Sequence, residues 1–125
     1  MPRPKLAETV VWVVVVGLLA VLAVMHLGST RQQRRVSAMR EELRRFAVAQ
    51  ESFRYDIGVY AADVATLEGR GFEPDAAIVV EVREATADGW AAVASHERTN
   101  RRCYLYVENA APVGGATRHG SLECD

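Results

Sequence analysis

VVWVVVVGLLAVLAVMHL, Val10 to Leu27, is the stretch whose reading decides the architecture. No Asp, Glu, Lys or Arg lies between Glu8 and Arg31. At a rise of 1.5 Å per residue such a run makes roughly 27 Å of helix, close to the thickness of a hydrocarbon core. A chain of 125 residues has little core in which to hide a helix that is apolar on every side. The segment 10–28 therefore reads as a transmembrane helix, and 1–9 as a short polar lead carrying Arg3 and Lys5. Trp12 suits an interfacial aromatic anchor near the start of the span. Gly17 and Ala20, three apart, offer a small-residue patch for close helix approach. A cleaved signal peptide shares the basic start. However, its apolar core is usually shorter, and no small-residue cleavage site follows Leu27. The expectation is an uncut anchor.

Working outward, Val36, Met39, Leu43, Phe46, Gln50 and Phe53 recur at alternating steps of three and four. That spacing predicts an amphipathic helix over about 31–57, with Gln50 as the one polar member of its stripe. Gly28-Ser29-Thr30 either breaks or softens the helix between the two stretches, and Gly58 is a plausible terminator. A short helical turn fits Ala62 to Leu67, and Gly69, Gly71 and Pro74 mark a loop. Strand patterning follows over about 76–108. Ile78, Val80 and Val82 alternate with Val79, Glu81 and Arg83. Asp88-Gly89 is a strong hairpin-turn pair, Trp90 to His96 returns as a second strand, and Cys103 to Val107 reads as a third. The tail, 109–125, with Pro112, Gly114, Gly115 and Gly120, reads as a loop. The expected fold class is α+β, with one long N-terminal helix packed by its second half on a small antiparallel sheet of three or four strands.

Cys103 and Cys124 are the only cysteines. An even pair bracketing a loop suggests a disulfide, with two free thiols as the alternative. A disulfide implies an oxidising compartment. The arginines speak differently. Arg31, Arg34, Arg35, Arg40, Arg44 and Arg45 crowd the segment after the span, and by the positive-inside rule they would hold the following domain in the cytoplasm.

The order of parts resembles the type IV pilin and pseudopilin superfamily. The local match is Met39-Arg40-Glu41-Glu42-Leu43-Arg44-Arg45-Phe46-Ala47-Val48-Ala49-Gln50-Glu51-Ser52-Phe53, followed by Tyr55-Asp56-Ile57-Gly58-Val59-Tyr60-Ala61. Gly71-Phe72-Glu73-Pro74 and Gly89-Trp90-Ala91-Ala92 are similar to further segments of pilin-like chains, so the resemblance covers about 39–125. It implies a pilin-type domain at 29–125 facing the periplasm, above a bacterial inner membrane, with the N-terminus cytoplasmic. The processing site departs from the pattern. If Glu8 stands for the glutamate near the mature N-terminus, Pro4 takes the first mature position and Arg3 the place of glycine. The helix-kinking proline of pilin anchors is missing too. An unprocessed pilin-like chain is expected to stay in the membrane.

The candidate chemistry is sparse. His26, at the end of the span, is a candidate metal or pigment ligand, set against a polar tip resting at the interface. His96 and His119 lack the spacing that would join Cys103 and Cys124 in a zinc site. Glu41, Glu42, Glu51 and Asp56 read as solvated helix-face charges paired with arginines. No nucleophile-and-base pattern and no phosphate-cradling glycine loop is present. The net charge of −1 gives no support for nucleic acid. Arg31, Arg34 and Arg35 are candidate lipid or partner contacts. The expectation is a non-enzymatic, cofactor-free accessory subunit of a larger membrane complex, whether secretory, respiratory or photosynthetic. Its partners would be other membrane subunits and lipid, with no small-molecule substrate. A minor pilin processed at a degenerate site and an anchored periplasmic binding module are the alternatives.

Overall fold

A computed structural model describes residues 5–125. The readings of Arg3 and Pro4, and of the lead before Lys5, lie outside the described residues. Six elements follow in order: α1 (Leu6–Ile57), α2 (Val64–Glu68), β1 (Ile78–Ala85), β2 (Gly89–His96), β3 (Arg102–Glu108) and β4 (Glu123–Cys124). The fold is α+β, with a long N-terminal helix and a four-stranded antiparallel sheet in the order β1-β2-β3-β4. The chain divides into two compact units, one ending at Gln33 and the other running from Arg34 to Asp125.

The first unit is helix. Every large apolar side chain between Val10 and Leu27 is exposed, from 40% at Val15 to 69% at Trp12 and Val24. This is the one helix, among the described residues, long and apolar enough to cross a membrane. The helix does not break at Gly28-Ser29-Thr30. A single glycine costs a helix only about 1 kcal/mol relative to alanine, and the Thr30 hydroxyl donates back to the His26 carbonyl at 3.0 Å.

In the second unit the stripe meets the sheet. Met39, Leu43, Phe46 and Gln50 are completely buried, Phe53 nearly so, and Val36 packs at the margin. Phe46 is the hub, edge-to-face with Trp90 at 5.2 Å and with Phe72 at 6.1 Å. β1 alternates as its sequence predicts. Ile78, Val80 and Val82 turn toward the core, while Val79, Glu81 and Arg83 face outward. The Trp90–Ala94 stretch of β2 is buried throughout, because the sheet's other face is covered as well. There Ala91 and Tyr106 pack with Ala110 and Ala116 from the tail. The segment read simply as a loop is thus a second cover for the sheet.

Two local readings change. The β1–β2 turn falls one residue earlier than Asp88-Gly89. The Thr86 amide donates to the Gly89 carbonyl at 2.9 Å, so Ala87 and Asp88 make the turn and Gly89 opens β2. Gly89 is needed for another reason. A Cβ there would lie 2.4 Å from the Val107 carbonyl oxygen and 2.7 Å from the Ala110 nitrogen. The tail also regains a short strand, β4, whose Cys124 sits opposite Cys103 and is bonded to it. In the chain-entropy model, closing a loop of this length contributes about 3 kcal/mol. α1 stops where expected. Gly58 takes φ +93, a left-handed conformation that ends a helix without side-chain strain.

Candidate functional site

The polar groups of the second unit fall into four sets. The first is Gln50, whose side chain is fully buried. Its Oε1 accepts from the Ala61 amide at 2.7 Å, and its Nε2 donates to the Ala61 carbonyl at 2.9 Å. An amide side chain thereby pairs with one residue's backbone as a neighbouring strand would, and both burial costs are offset. The stripe's one polar member holds the chain that leaves α1.

The second set corrects the reading of solvated carboxylates. Glu42 is buried, with 3% of its side chain exposed. Its Oε2 accepts from Arg45 Nη1 at 2.9 Å, and its Oε1 accepts from the Asp75 amide at 3.2 Å. Arg45 also donates to the Glu73 carbonyl and lies 5.4 Å over the Phe72 ring. Glu42 is buried with partners on both oxygens because the loop before β1 brings the Asp75 amide to it, a feature the helix sequence alone does not announce. The remaining acids disperse. Glu41 pairs loosely with Arg44 at 3.8 Å in the open, Asp56 pairs with Arg70, and Glu51 accepts from Tyr60.

The third set closes α1. Tyr60 donates its hydroxyl to Glu51 at 2.8 Å and accepts from Arg54 at 3.1 Å; Arg54 also reaches Glu108 at 3.2 Å. Burial first, then the Glu51 hydrogen bond, pushes the Tyr60 phenol up to about 12. A smaller version sits on β3, where Tyr104 donates to Asp125 at 2.8 Å and the Arg102 amide donates to the same carboxylate at 2.7 Å. These bonds, the backbone one first, hold the Asp125 carboxyl below its ordinary range.

The fourth set is basic. Arg35 Nη1 donates to the Arg98 carbonyl at 3.0 Å, which brings the β2–β3 loop against the start of the second unit's helix. Arg34, Arg98 and Arg101 are exposed beside this contact in sequence, and none of these four arginines has a carboxylate within ion-pair distance among the described residues. Arg31 and Arg34, the other candidate contacts, are exposed and likewise without a carboxylate. Sequence reading found the helix arginines but not Arg98 and Arg101, which lie more than 60 residues further on.

The other candidates are brought to no common site. His26 is exposed on α1. His96 Nδ1 accepts from the Arg98 amide at 3.0 Å, and His119 packs edge-on to Tyr106. Among the described residues no group of three His, Cys, Asp or Glu side chains could hold a metal. An open groove of 680 Å³ runs beside α1, lined by Val48, Ala49, Ser52 and Phe53 on one side and by Leu67 and Phe72 on the other. Arg70 lies 5.5 Å over the Phe53 ring and bridges to Asp56, so charged side chains cross it. Neither a family model nor a curated protein matches this chain.

Proposed function

We propose that the protein is a non-enzymatic, single-pass membrane subunit whose anchor packs among neighbouring helices and whose α+β domain braces protein outside the bilayer. The observation that carries this reading is the surface of Val10–Leu27. Its apolar side chains stand exposed right round the helix, and apolar area of that extent is unfavourable in water unless lipid or another protein covers it. The domain's polar chemistry supports a structural role, because the buried side chains of Gln50 and Glu42 are both committed to holding backbone.

The disulfide and the pilin-like order of parts support a periplasmic domain above a bacterial inner membrane, with the N-terminus in the cytoplasm. On this reading a pilin-type fold serves as a fixed subunit of a secretion, respiratory or photosynthetic complex. Gentle-detergent purification of the full chain from native membranes, followed by mass spectrometry of partners and of its own N-terminus, tests it. Stoichiometric recovery with one membrane complex and an untrimmed N-terminus is expected. Recovery with pilus or secretion-filament components and a trimmed, methylated N-terminus would replace it with the minor-pilin reading.

A further inference from the structure

We propose that Arg34, Arg35, Arg98 and Arg101 form a basic surface by which the domain seats on anionic phospholipid. The proposal rests on the membrane-anchor reading above. Its starting point is a division among the arginines. Arg44, Arg45, Arg54, Arg70 and Arg83 each have a carboxylate within 4.0 Å. Arg34, Arg35, Arg98 and Arg101 have none among the described residues. Arg31, Arg40, Arg102 and Arg118 also lack a carboxylate within that distance among the described residues, so what sets these four apart is where the fold places them.

The position of the unpaired group gives it a partner. Arg34 is the first residue of the second unit, and it follows Leu27, the end of the apolar run, by seven residues. By whatever path, seven residues reach at most about 25 Å, so this end of the domain is tethered close to wherever Leu27 sits. The 3.0 Å bond from Arg35 to the Arg98 carbonyl adds the β2–β3 loop to that same end. That bond uses the Arg98 carbonyl and not its guanidinium, which can meet a phosphate. Two carboxylates, Glu97 and Asp125, lie near this loop in sequence or by contact. Asp125 is occupied by Tyr104 and the Arg102 amide, while Glu97 stands in the open without an ion pair among the described residues. A guanidinium fork matches phosphate oxygens, and clustered arginines beside a span are drawn to an anionic leaflet. The outcome is a domain held at a fixed orientation by four arginines from two separate parts of the chain, where a single tether would leave it free to tumble.

The full chain, isotope-labelled, is placed in nanodiscs carrying a paramagnetic headgroup lipid, either in purely zwitterionic phosphatidylcholine or with phosphatidylglycerol added. Amide signals are read at 97–101 and at the β1–β2 turn, 86–88. The expected result is loss of signal at 97–101 in anionic discs, with 86–88 unaffected. That loss should be reversed in zwitterionic discs, in high salt, and in R98E/R101E, and retained in the control R118E. Equal loss at 97–101 in both lipids would overturn the proposal and leave proximity to the tether alone. Absence of loss in anionic discs, with R98E/R101E abolishing co-purification with a membrane complex, would overturn it in favour of an acidic protein partner. Failure of the wild-type chain to co-float with the discs would defeat the anchor reading itself, a result distinct from both.

Discussion

Val10–Leu27 and Val36–Phe53 belong to one helix and resolve their apolar surface in opposite ways. The first stretch is apolar around its whole circumference and is exposed throughout. The second gathers its large apolar residues, Val48 excepted, into one stripe and buries that stripe completely at Met39, Leu43 and Phe46. The backbone is the same. What differs is the angular distribution of the side chains, and that distribution selects the solvent. A stripe specifies a protein partner with a matching face, here Trp90 and the inner positions of β1. A full circumference presents no single face for a sheet to cover.

The largest test of that contrast exchanges a bulky residue for alanine in each stretch. Phe46→Ala removes the ring wedged between Trp90 and Phe72. Core truncations of this kind cost about 3–5 kcal/mol, which lowers the melting temperature of a domain this size by on the order of 20 °C. Val13→Ala, at a position 66% exposed, should leave domain melting where it was. Circular dichroism of the two variants in the same detergent reads both outcomes. If Val13→Ala lowered the domain's melting temperature as Phe46→Ala does, the two stretches would not be energetically separate.

Each stretch also carries one polar residue off its pattern, His26 on the first and Gln50 on the second, and these sharpen the comparison at smaller cost. Gln50→Leu keeps the volume but strands the Ala61 N–H and C=O, so a loss of about 1–3 kcal/mol is expected. His26→Leu should leave the domain's stability unchanged, since the side chain is exposed. Denaturant unfolding of the pair measures this. A Gln50→Leu variant as stable as the parent would mean that Ala61 finds other partners readily.

Much of this was legible in advance, and the limits have physical causes. The long apolar helix, the stripe, the alternation at Ile78, Val80 and Val82, the stop at Gly58 and the cysteine pair are periodic or local signals, and the structure agrees with each. What escaped depends on chain segments far apart. Glu42 looks like any surface carboxylate until Asp75 and Arg45 arrive around it. Gly89 looks like a turn residue, yet the end of β3 presses on it and its φ is not left-handed. Tail residues Ala110 and Ala116 have no period, yet they cover a sheet face. Arg98 joins the helix arginines only because a hairpin loop folds back to Arg35.

The smallest predicted effect lies where α1 ends and the contrast between the two stretches is closed off by Tyr60. Its hydroxyl donates to Glu51 from a buried ring, so the neutral phenol is favoured in the folded protein and its folded value stands at about 12, above the ordinary 10. A raised folded value means that the unfolded chain gives up this proton first as pH rises. The stabilisation from Tyr60 is therefore complete below pH 10 and drains away between pH 10 and about 12. Tyr104, raised by its bond to Asp125, loses stability in the same direction, so the wild-type slope alone does not isolate Tyr60. The difference between wild type and Tyr60→Phe does, since Tyr104 is common to both. At pH 8 Tyr60→Phe should be less stable by about 1 kcal/mol for the lost hydrogen bonds. Across pH 10 to 12 the gap should shrink, because only the wild type still has a Tyr60 proton to lose. A gap that stays constant through that range would mean the phenol ionises alike in the folded and unfolded chain, and that Glu51 does not hold its proton.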